Sequence, residues 1–468
     1  MHADGAQVNR TGLALLLLLV ILTRIPFLIA GYGTDPDAWR VADAATRLWQ
    51  TGEYGPSRLP GSPLHEIITA PLTAIGGPWL SNTATLIATL LALIVWNRIS
   101  LREARHPVLL VVTLAFTPLF WKNSAVTMDY LWSLLFLLSA FGASLHRRAV
   151  VTGVFLGLAA GFRPANAIAG AALLIPFLTG PRPVRSIVVM ATAAGAVAAA
   201  AFALPIMSMG VGGWLSATSA QLAGVRATQT TGIAAALYRG TYAFGPLATL
   251  FIAVVGIRAL RPFRTIALRA DDTFRTAIAM VLLVAATFAW LPMEREYLLP
   301  ALPFLLLAVD RICTRREIII AGILLVSFAF VNPDVVAHEG VNGHLRPALR
   351  PGMIIEDLHR SRVREAQRTV ILSLGRQDSL LLLTGFPEPY WFNDARIERI
   401  PSAFHEQVFR NRGTGGADHI YSLTRSELAL ARSQGYRVAV LRGSEHVVGQ
   451  TGGFSVTAEG LTSVPPLP

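Results

Sequence analysis

The sequence predicts an α-helical polytopic membrane protein of about 11 transmembrane helices, with a small C-terminal extracytoplasmic α/β domain. Three observations predict it. Apolar residues make up 53% of the 468 residues and charged ones only 15%, and the mean hydropathy of +0.52 is too high for an ordinary soluble chain. Apolar runs of near-membrane length recur from residue 11 to residue 331. After residue 332 the pattern changes to short strand-like and helix-like stretches with charges between them.

The first run, 11–31, has no small-residue cleavage site and continues through Arg24-Ile25-Pro26-Phe27, which predicts a retained anchor rather than a removed signal peptide. Further spans are expected at 81–99, 107–121, 128–145, 149–162, 165–179, 184–208, 241–257, 276–291, 297–310 and 317–331. Segment 63–80 is apolar but broken by Pro71 and by Gly76-Gly77-Pro78. Charge bias arbitrates, because cytoplasmic loops collect Lys and Arg. With the N-terminus inside and 63–80 left out of the count, sixteen basic residues fall on inner loops against eight on the outer loops before Asn332. Counting 63–80 as a span reverses that bias, so it is expected as a re-entrant or interfacial helix on the outer side. The loop 32–80, the connections carrying Asp129, Arg163 and Glu294-Arg295-Glu296, and the tail then all face the extracytoplasmic side.

The net charge of +12 does not imply a nucleic-acid partner. The chain after Asn332 carries fifteen Arg against fourteen acidic residues, so the excess belongs to the membrane half and follows its topology. The single cysteine, Cys313, excludes an intramolecular disulfide or a multi-cysteine metal site. There is no internal repeat and no GxxxxGK[ST], HExxH or GxSxG motif, so nucleotide hydrolysis and the common metalloprotease and serine hydrolase chemistries lack support. The division expected is a membrane module, 1–332, and an α/β domain, 333–468. In the latter, 351–374 and 426–434 read as helices, 379–384 and 437–441 as strands, Tyr390-Trp391 as core or a sugar platform, and 452–468 as a loose end.

The polar stretch GTDPDAWRVADAATRLWQTGEYGPSRLPGSPLHE, 33–66, carries the chemistry. Ala38, Val41, Ala42, Ala45, Leu48 and Trp49 form one helical stripe, with Asp37, Arg40, Asp43 and Arg47 off it. Asp35 fits the N-cap, Pro36 the first helical position and Gly52 the stop. Asp35 therefore has a complete structural explanation. Asp37 falls in the first turn, where the helix dipole favours a carboxylate, and it sits at the membrane boundary where it can accept a proton from a hydroxyl. Asp129 opens a membrane helix and reads either as a second site acid or as a first-turn acid after a Thr127 cap.

Asp37-Ala38-Trp39-Arg40-Val41-Ala42, running to Gly52-Glu53-Tyr54, resembles the first outer-loop motif of the GT-C superfamily of integral-membrane glycosyltransferases. That superfamily includes protein O-mannosyltransferases, aminoarabinose transferases of lipid A and bacterial oligosaccharyltransferases. SRLPGSPLHE, SAVTMDYLWSLL (124–135), GLAAGFRP (157–164) and REYLLPALPF (295–304) are similar to further family stretches. The resemblance covers about residues 11–330 and leaves the tail uncovered.

The resemblance implies a polyprenyl-phosphate-linked sugar donor, transfer on the extracytoplasmic face of the cell (inner) membrane, and a glycan, lipid or protein acceptor. It selects Asp37 over Asp35 as the catalytic carboxylate, expected to act as general base, with Asp129 assisting by orienting the acceptor or stabilising charge on the sugar ring. Arg58, Arg163 and Arg295 are candidates to hold the donor phosphate by forked hydrogen bonds, or else interfacial anchors, Arg295 being also a loop residue neutralised by its neighbours. Asp35, Trp39, Arg40, Tyr54, His65, Glu66 and Tyr297 are candidates to line the cavity, while Trp121 and Trp132 stack on sugar or anchor in the interface. No three-ligand metal constellation is visible, so neither a metal nor another cofactor is expected. Two other classes stay open: a transporter or flippase of lipid-linked sugars, and a non-catalytic envelope assembly protein.

Overall fold

Prolines and glycines decide where the apolar runs divide. The computed structural model describes residues 10–228, 232–268, 271–337, 345–373, 379–384, 397–400, 402–404, 408–411, 418–420, 423–441, 455–456 and 461–463. Helix α1 (Arg10–Leu28) is the first run. Its buried Arg24 donates from Nε to Ser124 Oγ at 3.0 Å and lies 4.4 Å from the Trp121 ring. After α2 (Pro36–Thr51), helix α3 (Pro63–Glu103) is interrupted at Gly77, with φ 56° and ψ −143°. Only glycine takes that conformation cheaply, and Pro78 has no N–H to continue the ladder. The stretch before Gly77 is therefore a helix separate from the one after it, and its re-entrant or interfacial placement stays an expectation.

The run 107–121 splits into α4 (Pro107–Phe116) and α5 (Pro118–Asn123), because Pro118 forces Thr117 out of the helical region. Helices α6 (Tyr130–Leu145) and α7 (Ala149–Phe162) match their runs. A 3-10 turn, Pro164–Ile168, with α8 (Ala169–Leu173) and α9 (Ile175–Leu178), takes up 165–179. Helix α10 (Pro183–Thr228) passes the expected end at 208, with an interruption at Gly210. Where one span was expected at 241–257, α11 (Ile233–Phe244) and α12 (Pro246–Leu268) meet at a 107° bend, since Gly245 at φ 87° precedes Pro246. Then come α13 (Asp272–Trp290), the 3-10 turn Arg295–Ala301, α14 (Leu302–Ile312) and α15 (Arg315–Ser327).

Among the described residues four helices, α1, α3, α10 and α13, are long and apolar enough to cross a membrane, and the bent α11–α12 pair makes up to five. The others are shorter: the 16 residues of α6 extend about 24 Å, against a hydrocarbon core of about 30 Å. The protein is a multi-pass membrane protein, and the count of eleven full spans stays an expectation.

The core is built around α6, whose Leu131, Leu134, Leu138 and Phe141 are buried against α3 and α7. Gly153, Gly157 and Gly161 form a stripe on α7 facing α10. A Cβ at Gly153 would lie 2.3 Å from the Met190 carbonyl oxygen, and one at Gly157 2.7 Å from that of Ala194. Small residues at this spacing let two helix backbones close together. That contact fixes the end of α7, which carries Arg163.

In the tail, β1 (Val331–Ala337) and β2 (Leu345–Pro351) pair antiparallel and lead into α16 (Met353–Ser373), which packs on α5. Beyond it lie β3 (Leu380–Leu383), β4 (Ile397–Ile400), β5 (Val408–Asn411), β6 (Asp418–Ile420), α17 (Arg425–Ser433), β7 (Arg437–Leu441), β8 (Ser455–Val456) and β9 (Leu461–Ser463). They form a sheet of order β4-β5-β6-β3-β7-β9-β8, with β3 parallel to β6 and β7. Central position explains why SLLLLT is apolar without alternation: all four residues of β3 are buried. Part of the expected loose end instead pairs as β8 and β9, satisfying the edge of β7. Tyr390-Trp391 lie outside the described residues.

Candidate active site

The first link is local. Asp35 caps α2, its carboxylate accepting from the Asp37 amide at 2.9 Å, and Gly52 at φ 72° ends the helix. Trp39 is buried and donates from Nε1 to the Gly33 carbonyl at 3.0 Å, locking the turn before α2. Asp37 is left on the partly exposed face.

The loop after α2 brings Arg58 to it. Glu66 holds that loop, accepting from the Ser57 amide at 2.8 Å, the Ser57 hydroxyl at 2.5 Å and the Tyr54 hydroxyl. Arg58 then forks: Nη1 lies 3.2 Å from Asp37 Oδ2 and Nη2 is 2.7 Å from Asp129 Oδ2. Asp129, fully buried, also accepts from Ser62 Oγ at 2.6 Å and Arg163 Nη1 at 3.0 Å. The capping explanation of Asp129 does not hold, because it makes no side-chain cap bond and Thr127 donates instead to Ser81 and Asn82. The Arg163 guanidinium lies 4.0 Å from the Tyr130 ring and 4.9 Å from the Tyr297 ring.

A second acidic group collects on the other side of Asp37. One carboxylate oxygen each from Asp35, Asp37 and Glu294 lie within 4.8 Å of one another. Burial, then the charges of Glu294 and Asp37, push the Asp35 carboxyl up to about 8. Burial and then Asp37 also raise Glu294, which accepts from the Tyr130 hydroxyl at 2.5 Å. Beside this trio is a cavity of about 430 Å³, lined by Asp35, Lys122, Tyr238, Arg239, Glu294 and Arg295 among others. Arg295 makes no direct bond to the acids that flank it, though its charge acts on Glu296. Glu296 pairs with Lys122 at 2.8 Å, Glu294 with Tyr130, and Arg295 makes no hydrogen bond or ion pair among the described residues.

No protein-family profile matches the chain, and no curated protein matches it either. Solved structures do. The crystal structure of ArnT from Cupriavidus metallidurans bound to undecaprenyl phosphate aligns with a TM-score of 0.55 at 12% identity, covering 97% of this chain and 98% of that one. ArnT of the same organism in the apo state aligns over the same shares at 10% identity, with a TM-score of 0.34.

The chain has an ArnT-like fold.

Within this ArnT-like fold, the residues named from sequence divide by position. Asp37, Arg58, Asp129 and Arg163 form one connected network; Asp35 and Arg295 line the cavity. Trp39, Tyr54, His65, Glu66 and Tyr297 are not among the lining residues: Glu66 ties the Tyr54 loop, His65 packs edge-on to Trp132 at 6.2 Å, and Tyr297 lies under Arg163. Arg40 pairs with Asp37 at 3.3 Å, and Trp121 packs against Arg24.

Lys122, Glu294, Tyr130 and Asp357 were not singled out by sequence. Lys122 had a signal, as the one lysine of the chain, set at the end of an apolar run. The Asp35-Asp37-Glu294 trio had no such signal, because Glu294 reaches α2 only through space. Three carboxylate oxygens suit a hard divalent cation or a shared proton equally.

Proposed function

We propose that the protein transfers a sugar from a polyprenyl-phosphate-linked donor to an acceptor hydroxyl or amine, with Asp37 as general base. The observation that carries this reading is the junction at Asp37. One carboxylate meets the buried Arg58–Asp129–Arg163 network on one side and the cavity acids on the other, within an ArnT-like fold. Arg40 donates to one carboxylate oxygen and Arg58 lies 3.2 Å from the other as an ion pair, leaving lone-pair sites for a substrate proton.

In the reaction the acceptor oxygen or nitrogen bonds to the anomeric carbon, its proton passes to Asp37, and the bond to the phosphate oxygen breaks with its electron pair. The lipid phosphate leaves as an anion. Arg58 and Arg163 are committed to carboxylates, so Arg295 is the guanidinium proposed to hold the phosphate. Asp129 acts through Arg58, fixing its fork, rather than by touching the acceptor. The topology proposed puts the N-terminus in the cytoplasm and the site and the 333–468 domain outside, supported by the sixteen-to-eight distribution of basic residues. A separate apolar cluster of Leu381, Leu383, Phe404, Val408, Leu428 and Val440 supports treating the sheet as its own unit.

The test is a transfer assay in reconstituted membranes with a panel of polyprenyl-phosphate sugars, comparing wild type with Asp37→Asn. Product formed by wild type and lost in the variant is the expected result. Full turnover by Asp37→Asn would remove Asp37 as the base, and transbilayer movement of donor without product would favour a flippase.

A further inference from the structure

Helix α7 joins two ends of the molecule. Arg163, just past its last residue, belongs to the candidate active site, and Arg148, its N-cap, lies at the opposite end, about 21 Å away for the 14 residues of the helix. Three connections converge at that far end. The α6–α7 turn holds Arg147 at φ 54°, and its Nη2 donates to Thr179 Oγ1 at 2.9 Å, just past α9, and lies 3.5 Å from Asp272 Oδ2 at the start of α13. Thr179 also donates to Asp272, at 2.8 Å. From Thr179 the chain passes through Gly180-Pro181 into α10, which brings Arg182 and Arg185 to the same corner, and Arg275 follows Asp272 by one turn of α13.

Two features of this corner point to a ligand. Arg148, Arg182, Arg185 and Arg275 are exposed, and their side chains make no hydrogen bond or ion pair among the described residues. Asp272, the acid at the corner, is already engaged by Arg147 and Thr179. At the other end of α7 the situation is reversed, since Arg58 and Arg163 are both bound to Asp129. The second feature is apolar. Val150, Leu178, Val184 and Val188 are all more than half exposed, and each stands within a few residues of one of these arginines. Val184 and Val188 are one turn apart, so they make a strip along α10 leading away from Arg185. Cations beside an outward apolar strip suit an amphiphile with an anionic head and hydrocarbon tails. A soluble anion meets the arginines and leaves the strip uncovered.

We propose that this corner is a binding site for an anionic phospholipid of the leaflet at that end, its phosphate held by Arg148, Arg182, Arg185 and Arg275 and its acyl chains lying along Val184 and Val188. Guanidinium groups fork onto phosphate oxygens, and each basic group at an anionic membrane surface adds about fivefold to affinity. The bound lipid braces the turn that starts α7, the helix whose other end presents Arg163. The proposal stands apart from the transferase reading, because the corner and the candidate active site share no residue.

The test is native mass spectrometry of the full-length protein in a neutral detergent, titrated with phosphatidylglycerol or with phosphatidylcholine of identical chains. The anionic lipid should bind at least about tenfold more tightly than the zwitterionic one. Arg182→Gln/Arg185→Gln should bring the two lipids within about threefold of each other, and Arg148→Gln/Arg275→Gln should do the same from the other side of the corner. Arg315→Gln/Arg316→Gln removes equal charge from α15, which packs on α4, α12 and α14, and should keep the preference. Inorganic phosphate in excess should leave the bound lipid in place. Equal binding of the two lipids by wild type, a preference unchanged in both corner variants, or displacement by inorganic phosphate overturns the proposal. An equal loss in the α15 variant also overturns it, because the preference would then belong to a diffuse basic field.

Discussion

The two ends of Arg58 face opposite electrostatic situations. At one end Asp129 is fully buried and surrounded by Arg58, Arg163 and Ser62, so its acceptor capacity is met by charge-assisted hydrogen bonds. At the other end Asp37 shares a small space with Asp35 and Glu294, three carboxyl groups crowded together beside a cavity. A satisfied network holds geometry, and an unsatisfied one responds to protons and ligands. Asp129 and Asp37, both named as site acids from sequence, therefore differ in kind.

The largest expected effect breaks the satisfied end. Asp129→Ala leaves two buried guanidinium groups without their shared anion and should cost about 3–5 kcal/mol of stability. Equilibrium unfolding in mixed detergent micelles measures it, and a wild-type stability would mean that Asp129 is not the keystone of the network. Asp37→Asn should behave oppositely. Turnover should fall by about 10²–10⁴-fold, while stability stays within about 1 kcal/mol because the residue is partly exposed.

The acid-rich end gives a pH signature. Burial and its acidic neighbours raise the Asp35 carboxyl to about 8, so the native state binds a proton that the unfolded chain releases in the ordinary carboxylate range. Stability from this group is complete below that ordinary range and is lost as pH rises through about 8. Melting temperatures of ligand-free protein should thus decline from pH 5 to pH 9 in part through Asp35. Asp35→Asn, which keeps the cap, should flatten the decline. An unchanged slope would show that Asp35 does not hold its proton in the folded protein. The smallest effect is expected at Arg40, whose i,i+3 pair with Asp37 is partly exposed. Arg40→Gln should change stability by less than about 0.5 kcal/mol, and a larger loss would mean that the acid excess is balanced by Arg40 rather than left for a ligand.

Legibility followed distance along the chain. The cap at Asp35, the first position at Pro36, the stop at Gly52 and the break at Gly77-Pro78 are decided within a few residues, and each was readable. Gly245-Pro246 carried the same kind of signal, but the apolar run through it masked the bend. Partners far apart were not readable as pairs: Arg58 and Asp129 are 71 residues apart, and Tyr130 and Glu294 are 164 apart. Glu294 and Glu296 flank Arg295 in sequence, yet they turn to Tyr130 and Lys122.

The sequence by itself determined the membrane class, the helix punctuation, and the division between a capping Asp35 and a presented Asp37, because these depend on composition and on bonds between near neighbours. Only the tertiary structure decided that Asp129 is paired, that Glu294 joins the α2 acids, and that α16 of the tail walls the cavity. Electrostatic and hydrogen-bond partners are set by separations of a few ångströms in space, and helix packing creates those separations between residues the chain keeps far apart.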